Sequence, residues 1–139
     1  MPGVIYRVLP KTTFDFSSMN GNNQSLSYVV TRGIDVSAYM EATALFRVHS
    51  YSITHTPSLK IEFWPEVPTP EDPGLNSEFS GSGPTLAWTV ALSGLSVPAC
   101  NLVGTVTSGF FLRLKVTGVQ GATAGTLIAT ISADLVARS

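Results

Sequence analysis

Apolar residues recur at every second position through most of this chain, the period of a strand that is dry on one face. In TLIATISADLVAR, Leu127, Ala129, Ile131, Ala133 and Leu135 fall on one side, and Ile128, Thr130, Ser132, Asp134 and Val136 on the other. GFFLRLKVTG sets Phe110, Leu112, Leu114 and Val116 against Phe111, Arg113, Lys115 and Thr117. The same alternation groups Leu86, Trp88, Val90 and Leu92; Ala44, Phe46 and Val48; and Leu59, Ile61 and Phe63. Shorter candidates lie near residues 3–9, 12–16, 26–31 and 101–106. No segment keeps a helical period with caps, although 36–46 could open with a helical turn before its β-branched and aromatic residues favour a strand.

The pattern predicts eight or nine strands separated by turn chemistry. Asn20-Gly21 is a tight-turn signal, and 92–99 and 117–125 separate further strands. Many short antiparallel strands with Gly and Pro turns make an all-β fold, and we expect a jelly-roll-like antiparallel β-sandwich in one domain, residues 1–139. A chain of 139 residues is long enough to bury a core without disulfides or a metal.

WPEVPTPEDPG, residues 64–74, interrupts this regularity with four prolines and three acids. Proline cannot donate to a ladder, so the preceding strand is expected to end at or just after Trp64. Pro65, Pro68, Pro70 and Pro73 favour an extended path, which over these residues could reach roughly 34 Å. Residues 65–84 then form one long excursion, either an arm lying on a neighbouring subunit or a stiff loop closing one end of its own sandwich. Candidate contact residues are Trp64, Pro65, Val67, Pro68 and Pro70, with Phe111 as an anchor on an outer sheet face. Trp64 is expected to pack on proline, with a sugar ring or a subunit contact as the other possibilities.

Charge narrows the field. Asp, Glu, Lys and Arg make up 12% of the chain, against a usual share of roughly 25%. The net charge is −1 and no Lys/Arg run occurs, so nucleic acid is not an expected partner. A surface rich in Ser, Thr, Ala and Gly suits a protein covered by copies of itself or by neighbours. No basic start followed by an apolar run marks a signal peptide, and no stretch of about 18 apolar residues could span a membrane. We expect a protein made in a cytoplasm that either stays soluble there or leaves without a classical signal.

The candidate chemistry is thin. Cys100 is the only cysteine and lies in an apolar run, which reads as a small buried hydrophobe with no basic partner nearby. His49 and His55, six apart, would stand about 20 Å from each other on one strand, too far to share a metal. Glu62, Glu66, Glu71, Asp72 and Glu78 are the one local concentration of acid, and all but Glu62 lie on the excursion, the wrong setting for a rigid catalytic pair. Calcium at Glu71 and Asp72 would use them better but lacks an Asp-x-Asp spacing. No nucleophile elbow or phosphate loop occurs, and the sequon at Asn23 has no secretory context. We expect no enzyme activity and no cofactor.

Two stretches carry a resemblance. TRGIDVSAYMEATALFRVHSYSI resembles the entry phrase of galactose-binding-like jelly-roll domains, through Ile34, Asp35, Val36, Ser37 and Tyr39. GTLIATISADLVARS looks like the last strand of small β-sandwich proteins on bacteriophage capsids and tails. Together they cover about a third of the chain. The first implies sugar binding by loop aromatics, such as Tyr39 or Tyr51, though no binding set can be carried over residue by residue. The second implies a virion accessory or decoration protein that binds neighbouring subunits, as a homo-oligomer or on a capsid lattice. The second is the expectation here, with a carbohydrate-binding module as the alternative.

Overall fold

The structure is a computed structural model that describes residues 4–17, 24–36, 38–68, 76–78, 84–106, 111–121, 123 and 125–138, with backbone alone at 32–33, 66–68, 76–78 and 105–106. The described residues form nine strands and no helix: β1 (Val4–Asp15), β2 (Ser25–Asp35), β3 (Glu41–Ile53), β4 (Ser58–Pro68), β5 (Asn76–Glu78), β6 (Leu86–Ala91), β7 (Ala99–Val106), β8 (Phe111–Val119) and β9 (Leu127–Arg138). Sheet A has the order β1-β9-β3-β7 and sheet B the order β2-β8-β4-β5, with β6 also pairing with β4. All pairings are antiparallel. The first strand pairs with the last, β2 with β8, β3 with β7 and β4 with β6. The chain is therefore one long double ribbon folded back near β5 and wound alternately into the two sheets, the winding of a jelly roll.

The alternation read from the sequence sets which faces meet. Leu127, Ala129, Ile131, Ala133 and Leu135 of β9 are buried, as are Ala44, Phe46 and Val48 of β3. From sheet B come Leu59, Ile61 and Phe63 of β4, Leu112, Leu114 and Val116 of β8, and Leu86 of β6. Trp88 and Val90 pack against this core. Phe46 and Phe63 stack across the gap with ring centroids 5.7 Å apart. At the β1/β2 margin, Phe16 and Phe14 lie 5.6 and 6.2 Å from Tyr28. There Thr31 Oγ1 also donates to the Val8 carbonyl at 2.8 Å.

Three expectations change. The two candidates at 3–9 and 12–16 are one strand, β1, which takes Pro10 by slipping register between Leu9 and Thr12. A bulged outer strand is where a proline costs least. The stretch at 36–40 makes only a turn, Tyr39 N–H donating to the Val36 carbonyl at 3.1 Å. Most important, β4 does not stop at Trp64. It runs to Pro68, and Glu66, Val67 and Pro68 pair with Glu78, Ser77 and Asn76 of β5. The described start of the excursion is thus a hairpin strand in the chain's own sheet, not a free polyproline arm.

Proline is admitted there for a local reason. The Phe63 carbonyl accepts from Thr85 N–H at 2.8 Å, so the polar groups of Phe63 face the β6 side. Pro65, two residues on, faces that same side, at the step where β6 has ended opposite Phe63 and β5 begins only opposite Glu66. Among the described residues, its missing N–H has no ladder partner to lose. Pro70, Glu71, Asp72, Asn20-Gly21 and Asn23 lie outside the described residues.

At the opposite end, the loops are tied to each other. Phe16 N–H donates to the Leu127 carbonyl at 2.7 Å, and Gln120 Nε2 donates to the Gly125 carbonyl at 2.6 Å. Gly118 leaves the room that Phe16 fills: a Cβ there would come within 2.5 Å of the ring. Gly118→Ala should therefore lower stability by about 1–3 kcal/mol, the usual cost of overpacking a filled site. Urea unfolding checks this, and an unchanged midpoint would contradict the packing described.

Candidate functional site

The inner faces are consumed by the core, and no cavity opens among the described residues. Function therefore has to be sought on the outer sheet faces, the edges and the loops. The register brings together residues that are far apart in sequence.

On sheet A, three outward rows cross the sheet. The first sets Ile5, Val136, Thr43 and Gly104 side by side. The second sets Arg7, Asp134, Leu45 and Leu102 side by side, and the third Ser132, Arg47 and Cys100. Ser132 and Asp134 are buried although they point outward, and each is engaged by a longer side chain. Arg7 Nε donates to Asp134 Oδ1. His49 Nε2 and Ser132 Oγ are 2.8 Å apart. Burial pushes the His49 pKa below 6.5, and the charges of Lys11, Arg47 and Arg7 push it the same way. Ile5 and Leu102 stand 74% and 69% exposed at the two margins of this face.

Sequence reading missed this assembly. Its parts come from β1, β3, β7 and β9, and each alone is an ordinary outward position. One signal was available: Asp134 is the only acid in the apolar run of β9, and Arg7 the only cation in that of β1 before Pro10. Cys100 corrects an expectation. It is exposed, with Arg47 opposite it across the register. ACNLVG does not alternate and so names no inner face; pairing with β3 turns Cys100 and Leu102 outward.

On the outer face of sheet B, Trp64 is half-buried and lies opposite Arg113. The Arg113 guanidinium carbon and Lys115 Nζ lie over its ring, 5.9 and 5.4 Å from the centroid. Proline packing at Trp64 is replaced by this cation–π arrangement, because Pro65 points the other way and is buried on the core side. Pro65 is thus not available to a neighbour, whereas Phe111, half-buried and outward, is. Val67 and Pro68 are placed by backbone in β4. One row crosses this face through Asp35, Phe111, Glu66 and Glu78. The structure brings Trp64 and Phe111 to one face without forming a ligand pocket.

The remaining candidates separate. His49 is on sheet A, and His55 is exposed in the turn after β3 with φ 62°. No group of three His, Cys, Asp or Glu among the described residues could hold a metal. Tyr51 donates its hydroxyl to the Leu95 carbonyl at 2.8 Å, and Tyr39 hydrogen-bonds Tyr6, which raises the Tyr6 pKa.

Comparison with known proteins adds the fold's setting. No family model and no curated protein matches the chain. A chain in the solved structure of infectious bursal disease virus, Gx strain, superposes over 96% of this chain with a TM-score of 0.51 at 12% identity. This chain spans 30% of that chain's length. The likeness is one of fold.

Two outcomes follow from the sheet A face. His49 titrates at lower pH folded than unfolded, so as pH falls below about 6.5 the unfolded chain takes the proton first and stability drops. His49→Gln should flatten that fall in urea midpoints between about pH 7.5 and about pH 5.5; an identical slope would contradict the environment described. Cys100 in the dilute folded chain should react with a thiol reagent at a rate close to that of the denatured chain. Protection from the reagent would contradict its outward placement.

Proposed function

We propose that this chain is a structural component of a virion, of the decoration or accessory kind, which works by packing against neighbouring protein subunits rather than by catalysis. The observation that carries the reading is the fold over nearly the whole chain. It is a jelly roll whose 96% superposes on part of a chain from a virus structure. Fold alone leaves function open, so two features of the chain support the choice. Charged residues are few, at 12%, and the outer face of sheet A exposes Ile5 and Leu102. Isolated exposed apolar residues are ordinary, but here they flank a single sheet face.

Sugar binding would ask for an open aromatic platform. Trp64 lies under two cationic side chains, and the hydroxyls of Tyr39 and Tyr51 are engaged within the fold. Subunit contact is the reading that these side chains favour.

Light scattering on a sizing column, followed by negative-stain imaging of the main peak, tests the proposal. The expected result is a discrete multi-subunit species or particle. A mass fixed at the 14.7 kDa of one chain at every concentration would overturn it.

A further inference from the structure

Resting on that reading of subunit packing, we propose that two copies of this chain join edge to edge through β7, which pairs antiparallel with its counterpart about a two-fold axis and continues sheet A from one copy into the next. Among the described residues, β7 ends sheet A and only β3 pairs with it. Its other side presents a row of backbone N–H and C=O groups on which a further strand can form. Natural sheets blunt such an edge with prolines, bulges, charges or brevity. β7 has none of these. It pairs with β3 over its whole length, from Ala99 opposite Val48 to Val106 opposite Glu41, with no slip in register. Its sequence, ACNLVGTV, contains neither proline nor a charged residue.

The other edges are built differently. β1, at the far side of sheet A, carries Arg7, Pro10 and Lys11 and slips register twice. β2, at one side of sheet B, also slips twice, and its Thr31 Oγ1 is tied to the Val8 carbonyl of β1. β5 is only three residues long. β6 is uncharged, but it is shorter than β7 and leaves no large apolar side chain exposed. On β7, Leu102 stands 69% exposed, and Val97 just before the strand is exposed as well.

The edge itself points to a second copy as its occupant. Because β7 carries no charge, two identical strands can lie side by side with no like charges opposed. Every strand pairing in the fold is antiparallel. An antiparallel pair of identical strands is self-complementary about a two-fold, the isologous contact that closes on itself. The axis stands perpendicular to the sheet, so residues outward in one copy are outward in the other. Cys100, Leu102 and Gly104 are the outward, exposed positions. Centring the axis on Leu102 sets the two Leu102 side chains against each other and Cys100 against Gly104, and so covers the exposed leucine with an apolar partner. Moving the axis to Val103 would set Leu102 against Gly104, which has no side chain to cover it. The outer faces and loop ends of the joined pair stay free for further packing.

Thiol coupling tests it. Cys100→Ala/Leu102→Cys places a thiol at the axis, and under a mild oxidant it should form a covalent pair at twice the 14.7 kDa of one chain on a non-reducing gel. Cys100→Ala/Ile5→Cys places a comparably open thiol at the opposite margin of sheet A and should remain single. Wild-type Cys100 should remain single too. It faces Gly104, so its counterpart is offset along the seam by about 13 Å, beyond the Cα separation of about 7 Å that a disulfide can span. Leu102→Lys opposes two cations at the axis and should lose the contact, so its mass by light scattering should fall below that of the wild type. If the wild type assembles but Leu102→Cys couples no faster than Ile5→Cys, or Leu102→Lys keeps the wild-type mass, this interface is wrong and subunit packing stands. Coupling through wild-type Cys100 would set a different register and overturn the one proposed. A wild type that is monomeric at every concentration removes both the interface and the reading it rests on.

Discussion

Phe46 and Phe63 meet between the sheets at 5.7 Å, both fully buried, and the rest of the molecule is arranged so that they can. Each sits on a strand paired on both sides, β3 in sheet A and β4 in sheet B. Burying a side chain of this size contributes about 1.5–3 kcal/mol, but only if every neighbour on the same face is also apolar. The period-two pattern supplies that condition on all the long central strands. It also fixes register, since a slip of one residue would turn Phe46 or Phe63 to solvent. The bulges bear this out by location: they occur on the outer strands β1 and β2, and on β3 only after Val48, past the aromatic pair.

The same constraint decides what was legible in the sequence. Alternation names the buried residues of β3, β4, β6, β8 and β9, because those strands are dry on one side only. It fails where polarity does not alternate. ACNLVG offers no face, so Cys100 reads as buried until its pairing with β3 is known. It fails again where a local rule meets a tertiary accident. Pro65 is a sound reason to end a strand, yet β6 stops and β5 starts on either side of it, and among the described residues no ladder partner is lost. The cluster of Arg7, Asp134, His49 and Ser132 was illegible because it depends on which strands become neighbours.

A jelly roll with its inner faces consumed by a core has outward faces, edges and loop ends left for function. Here the two outward faces differ in character. Sheet A shows cations between exposed apolar margins; sheet B shows Trp64, its ring spent on Arg113 and Lys115 within the chain.

An image reconstruction of the assembled protein, at a resolution that separates strands, tests the central claim most directly. The account predicts copies of the nine-stranded sandwich packed against one another through outer faces, edges or loop ends. A field of isolated single copies, with none of these surfaces covered, would contradict it.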